Sequence, residues 1–324
     1  LVAYIVTMLP LVLYAGSVAM ERIFGITALM GGNRFMATTV MCVALGIIGG
    51  IYAIFGGLKA VAVSDSLNGI IFIIGAVILI PVLAFIALGD GSIAEGIRIF
   101  ATSSPEHLNA IQPANAQPPY IPWPMIVLGC GINHISYWCT NQSIMQRVLG
   151  AKNLKEAQKG AVFAGFLKIM TPLIIVVPGV ICALAYPGTD WGSGDSAYPM
   201  LVAQGMPKPI LGFFAAVMFG AILSSFNSVL HSASTIYALD IHRPLFNPTA
   251  SDARMVKIGQ NFGTVVAVVS TIMSPFMLYM GGITSFVNSA FAAFNPPIFV
   301  CLLCGFFWKK VPAIAAKIVI PVHV

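Results

Sequence analysis

The chain has 324 residues, 58% of them hydrophobic and 8% charged, with a formal net charge of +6 and a mean hydropathy of +0.93. A soluble domain carries about 25% charged residues, so that class is excluded; long unbroken apolar runs exclude a β-barrel as well. The basic excess marks membrane orientation and not a nucleic-acid partner.

Apolar runs predict membrane helices at Leu1–Met20, Met36–Phe55, Ser66–Leu88, Trp123–Met145, Ala161–Tyr186, Ile210–Tyr237, Ile258–Tyr279 and Ile283–Trp308. A ninth begins near Ala313. The chain opens at Leu1 inside an apolar run without a basic leader or cleavage site, and closes at Val324 inside another. It reads as a single transmembrane domain over 1–324, truncated at both ends. A short interfacial helix is expected at Ser92–Phe100, in a long loop that ends Gln117-Pro118-Pro119-Tyr120-Ile121-Pro122. Gly188 to Asp195 reads as a turn-rich connection.

The loops set the orientation. With the loop after the second run inside, inside loops hold ten basic residues: Lys59; Arg147, Lys152, Lys155 and Lys159; Arg243, Arg254 and Lys257; Lys309 and Lys310. Outside loops hold four, Arg22, Arg34, Arg98 and Lys208. That asymmetry predicts a multi-pass protein of the cell inner membrane, bathed in lipid, with those loops cytoplasmic. The six cysteines lie in apolar segments without zinc-like spacing and read as small apolar fillers.

Polar residues at membrane depth carry the functional signal, because oxygens and charges away from water are costly unless they bond something. The run Ile210–Tyr237 has no acid, lysine or arginine, yet holds Ser224, Ser225, Asn227, Ser228, Ser232, Ser234 and Thr235. Ala221, Ser224 and Ser225 have i, i+3, i+4 spacing and share a helix face. One carbonyl and two hydroxyls there suit a hard cation. The competing reading is small residues that let helices pack closely.

His134, Tyr137 and Trp138 share another such face, where aromatic rings with polar tips can stack on and orient a hydroxylated ligand. An interfacial aromatic belt is the alternative. Lys168 lies about two turns into its run and either faces a solute cavity or snorkels to the headgroups. Asp65 either caps the helix it opens or marks a cation route to the cytoplasm. Asn288 and Ser289 precede Asn295-Pro296-Pro297, whose prolines are expected to kink or break the helix.

Several of these stretches resemble the sodium/solute symporter family, which includes the sodium/glucose cotransporters. They are Tyr137-Trp138-Cys139-Thr140-Asn141-Gln142 with Gln146-Arg147 and Ala151-Lys152-Asn153; Ala221-Ile222-Leu223-Ser224-Ser225 with Asn227-Ser228, Ser232-Ala233-Ser234-Thr235 and Asp240-Ile241; Gly56-Gly57-Leu58-Lys59-Ala60 with Asp65; and Pro296-Pro297 leading to Phe307-Trp308-Lys309-Lys310. The likeness runs along essentially the whole chain and is nearest a bacterial sugar-type branch. It implies an all-α integral membrane fold with a LeuT-type core of two inverted five-helix repeats, represented here by roughly core helices three to ten and the start of the next. It further implies a sodium site at the Ala221 carbonyl and the Ser224 and Ser225 hydroxyls, completed by carbonyls of the first core helix. Asp65 would lie on the sodium exit. Tyr137 would be an inner gate under a sugar ring, and Lys168 would touch the sugar. His134 stands where sugar carriers have asparagine, and Asn288 where they have glutamine.

The expected function is sodium-coupled import of a small polar solute, a sugar or polyol before sialic acid or an amino acid, with Na+ as the coupling ion. Imidazole titrates in the physiological range, so His134 predicts pH-dependent uptake. Rivals are a proton-coupled carrier and a membrane-embedded solute sensor. An enzyme would need a carboxylate pair or catalytic dyad at membrane depth, and only His134 and Asp65 are candidates, on different segments.

Overall fold

The computed structural model describes residues 2–103, 123–188, 197–312 and 314–323, without the side chains of 4, 5, 54–61, 64, 78, 79, 123 and 284. The described elements are helical throughout. In chain order they are α1 (Val2–Phe24), α2 (Ile26–Leu29), α3 (Arg34–Ile74), a π-helical turn (Gly75–Leu79), α4 (Ile80–Leu88), α5 (Ile93–Ser103), α6 (Trp123–Thr140), α7 (Gln142–Leu149), α8 (Leu154–Ile169), α9 (Thr171–Ala185) and α10 (Ala197–Gly205). They continue with α11 (Lys208–Ile236), a second π-helical stretch (Tyr237–His242), α12 (Arg243–Phe246), α13 (Asp252–Met273), a 3-10 turn (Ser274–Tyr279), α14 (Ile283–Phe307) and α15 (Ile314–His323). Among the described residues, seven stretches are long and apolar enough to cross a membrane. They match the predicted runs except Trp123–Met145.

That exception has a local cause. Asn141 ends α6 and starts α7: its Oδ1 accepts from the Ser143 amide at 2.9 Å and the Ser143 hydroxyl at 2.5 Å. Part of the polar Thr140-Asn141-Gln142 cluster is therefore a helix cap. The predicted run Ala161–Tyr186 is also interrupted, at Met170, between α8 and α9. Pro172 stands at the start of α9, where its missing N–H is tolerated and its ring disfavours helix just before it. The interfacial helix exists as α5, where Arg98 holds the Glu95 carboxyl below the usual carboxylate range through a bidentate bond. The loop ending Gln117–Pro122 and most of the Gly188–Asp195 connection, 189–195, lie outside the described residues.

The chain divides into two compact units, one of residues 1–104 and 162–283, the other of 105–161 and 284–324. In the first unit, α11 is the central helix. Met20, Ile80, Ile181, Val202 and Phe214 form one buried cluster, and Leu9, Leu13, Leu45, Phe226 and Leu230 another.

Helical backbone runs unbroken through α3, where a loop was expected between the second and third runs, and Asp65 sits inside this helix, not at its start. The two halves nevertheless meet α11 in opposite order. An added Cβ on Gly49 would lie 2.9 Å from Phe226, and Ala53 lies beside Leu230 in one cluster. Further on, Asn68 would lie 2.6 Å from a Cβ on Gly220, and Phe72 stacks on Phe214 at 6.2 Å. From Gly49 to Phe72 a straight helix advances about 35 Å, whereas their partners on α11 are about 18 Å apart in the reverse sense. The segment therefore doubles back between Ala53 and Asn68. The two ends of α3 cross α11 in opposite senses. α1 and α13 both run antiparallel to α11: Gly16 meets Ile222 and Gly263 meets Ser234. These directions agree with the alternation read from the basic loops.

In the second unit α6 packs on α14. The Ser136 hydroxyl donates to the Asn295 carbonyl at 3.2 Å, and Tyr137 lies 5.7 Å from Phe291 between ring centres. α14 passes through Pro296-Pro297 without a break, contrary to one expectation for those prolines. Pro296 has no N–H for the Ala292 carbonyl one turn back, and His323 Nε2 of α15 lies 3.3 Å from that oxygen.

Candidate functional site

α11 begins at Pro207 and Lys208 and continues through its π-helical stretch into α12, 39 residues from Lys208 to Phe246. Its serines bond back along the helix. The Ser225 hydroxyl donates to the Ala221 carbonyl at 3.1 Å, Ser228 to Ser224 at 2.7 Å, Ser232 to Ser228 at 2.7 Å and Ser234 to Leu230 at 2.9 Å. Such bonds settle a hydroxyl's proton and leave its lone pairs available to a cation.

Ala221 and Ser224 are half-buried and Ser225 is exposed. The three oxygens expected to hold sodium thus share one open face of α11, with the Ala221 carbonyl and Ser225 hydroxyl already adjacent. The cavity of the first unit starts at Leu230 and does not include them.

The residue below that face was not singled out from sequence. Asn227 is fully buried, and neither polar atom of its amide finds a partner among the described residues. An unsatisfied buried amide costs about 1–3 kcal/mol. The sequence shows the asparagine but not the direction it points. Asp65 is half-buried on the returning half of α3 and is engaged within the protein.

The solute residues divide between the units. His134, Tyr137, Trp138 and Asn288 belong to the second, Lys168 to the first. Tyr137 is half-buried, its ring edge-on to Trp138 at 5.9 Å and tilted to Phe291 at 5.7 Å. Asn288 lies one turn before Phe291 and is exposed. α6 and α14 therefore bring Tyr137 close to the stretch that carries Asn288. His134 is exposed, with Nδ1 2.6 Å from the Cys130 carbonyl. That bond needs a proton on Nδ1, so a neutral ring presents Nε2 outward as an acceptor. Lys168 is exposed in the last turn of α8, one residue before the helix ends.

The model of the sodium:solute symporter family matches residues 1–318. The chain belongs to the sodium:solute symporter family. It is 38% identical over 98% of its length to the uncharacterized symporter YidK of Escherichia coli (strain K12), covering 55% of that protein. It is 30% identical over 95% of its length to the sodium/glucose cotransporter of Vibrio parahaemolyticus, covering 58% of it. A human sodium/myo-inositol cotransporter 2 is also 30% identical over 95% of the chain, which covers 48% of that protein. The chain therefore spans about half the length of these curated relatives. A solved structure of a Na+-coupled sialic acid symporter, substrate-bound and outward-open, superposes with a TM-score of 0.70 at 20% identity, covering 94% of this chain and 63% of that one. This likeness shows the fold: an all-helical, LeuT-type membrane architecture.

Proposed function

We propose that the protein containing this chain is a sodium-coupled symporter that imports a small, neutral, polyhydroxylated solute, a sugar or polyol. The observation that carries the sodium half is the shared face of Ala221, Ser224 and Ser225. It sits mid-way along a helix without carboxylates, with the Ala221 carbonyl and Ser225 hydroxyl 3.1 Å apart. Uncharged oxygens favour a weakly hydrated monovalent cation over a divalent one, whose charge calls for carboxylates. We assign the remaining ligands to a segment outside this chain.

The solute half is supported by the Tyr137–Trp138–Phe291 aromatic group on the α6–α14 seam, with Asn288 one turn away. An aromatic face with neutral amide donors suits hydroxyl-rich rings. Two relatives are named for sodium/glucose and sodium/myo-inositol cotransport, which supports the same reading. Sialic acid, named for the solved neighbour, remains a second reading because Lys168 could meet a carboxylate.

Coupling follows from linkage: sodium that orders the solute site is itself bound more tightly once solute is present. One charge crossing about 100 mV supplies about 2.3 kcal/mol, roughly a fifty-fold accumulation. The test is uptake by the full-length protein in proteoliposomes, with sodium replaced by choline, against glucose, myo-inositol, sialic acid and amino acids. Sodium-dependent accumulation of a sugar or polyol is expected. Uptake that persists in choline and follows a proton gradient would defeat the sodium reading, and sodium-dependent uptake of only sialic acid or amino acids would defeat the solute reading.

A further inference from the structure

The first unit contains a cavity of about 630 Å³ that the symport reading does not use. It runs along α11 from Leu230 to Arg243, about 20 Å by helical rise. One leaflet's share of a ~30 Å hydrocarbon core is about 15 Å. The cavity is thus as long as one acyl chain and the start of its headgroup. By the basic-loop asymmetry its Arg243 end faces the cytoplasm.

Its walls fit a chain better than a polar solute. Gly259 and Gly263 let α13 pack closely on Ser234 of α11 at the floor, and Leu239 and Val256 line the open side. The Ser234 hydroxyl is already occupied by the Leu230 carbonyl at 2.9 Å. Leu239 and Val256 are 44% and 62% exposed, so the groove opens to the surface at these residues.

One cation and one acid stand at the mouth: Arg243 Nη1 lies 3.3 Å from Asp252 Oδ1, with the two side chains 41% and 90% exposed. A pair this exposed is weak and leaves most of the five guanidinium donors unused. Arg254 and Lys257 are exposed elsewhere on α13, outside the lining.

We propose that this groove holds an anionic phospholipid of the cytoplasmic leaflet, its phosphodiester on Arg243 and one acyl chain along Leu239 and Val256. Basic pockets between helices on that side favour anionic headgroups, by roughly five-fold in affinity per basic side chain near the surface.

The experiment uses the full-length protein, delipidated in detergent. Its melting temperature is followed while phosphatidylglycerol, phosphatidylcholine or inorganic phosphate is added, and bound lipid is counted by native mass spectrometry. Phosphatidylglycerol is expected to bind with a retained stoichiometry and to stabilise more than phosphatidylcholine, with no effect of inorganic phosphate. Arg243→Gln should weaken phosphatidylglycerol about five-fold or more. Asp252→Asn removes the same ion pair but frees the arginine, and should bind as well as wild type or better. If Arg243→Gln does not fold, Val256→Trp, at an exposed wall position, should displace the lipid. Equal effects of the two lipids, protection by inorganic phosphate alone, or unchanged binding in Arg243→Gln or Val256→Trp would overturn the proposal.

Discussion

Replacing Ser225 by alanine separates a cation ligand from a structural hydroxyl. Ser225 is exposed on α11, and among the described residues its hydroxyl makes one bond, the 3.1 Å back-bond to Ala221. The Ala221 carbonyl keeps its helical N–H partner when that hydroxyl goes, and alanine is the better helix former by up to about 0.7 kcal/mol. The melting temperature in sodium-free buffer should therefore stay level or rise slightly. A bond to a charged group contributes about 1.5–3 kcal/mol, so losing one sodium ligand should weaken sodium about 10- to 150-fold. The assay is the sodium activation curve of solute uptake, with choline holding ionic strength constant. Ser232→Ala is the control: Ser232 is fully buried on the same helix and back-bonded at 2.7 Å, away from the proposed face. It should leave the curve in place. A Ser225→Ala curve within two-fold of wild type would refute the assignment.

Other outcomes follow from the same geometry. Lys168→Ala should raise the KM for solute several-fold and leave half-activation by sodium unchanged, measured in the same uptake assay. Asn227→Leu replaces a fully buried, unpartnered amide with an apolar side chain of similar volume, and should raise the melting temperature by about 1–3 kcal/mol worth of stability; a fall would mean that the amide has a partner. Gly96→Ala should destabilise by more than about 2 kcal/mol, since its Cβ would fall on the Phe85 backbone carbonyl, which cannot move aside; a level melting curve would contradict the α4–α5 packing.

The membrane helices were legible in the sequence because lipid imposes one rule, a long apolar run with its backbone satisfied internally. The basic loops gave their directions, and the contacts of α1, α3 and α13 with α11 agree. The breaks were less legible. Met170 interrupts an apolar run because Pro172 follows, and an isolated proline equally permits a kink or an undisturbed helix, as Pro296 and Pro297 in α14 illustrate. The cap at Asn141 was not legible, since an asparagine inside an apolar run can bond a ligand or the backbone and only the backbone angle decides. Helical backbone replaced the loop expected between the second and third runs, where Gly56 and Gly57 permit helix as well as a turn. At the site, spacing placed Ala221, Ser224 and Ser225 on one face. It could not reveal that Asn227 points inward with its amide unmatched, which depends on neighbours from distant parts of the chain.

The central claim is that neutral oxygens of α11 hold sodium, and direct binding tests it without a known solute. The melting temperature of the purified full-length protein should rise when sodium replaces choline, by about 2.7 kcal/mol of stabilisation at a hundred times the Kd. The Ser224→Ala/Ser225→Ala double variant should fold normally and show no such rise. A double variant that still responds to sodium as wild type does would contradict the account.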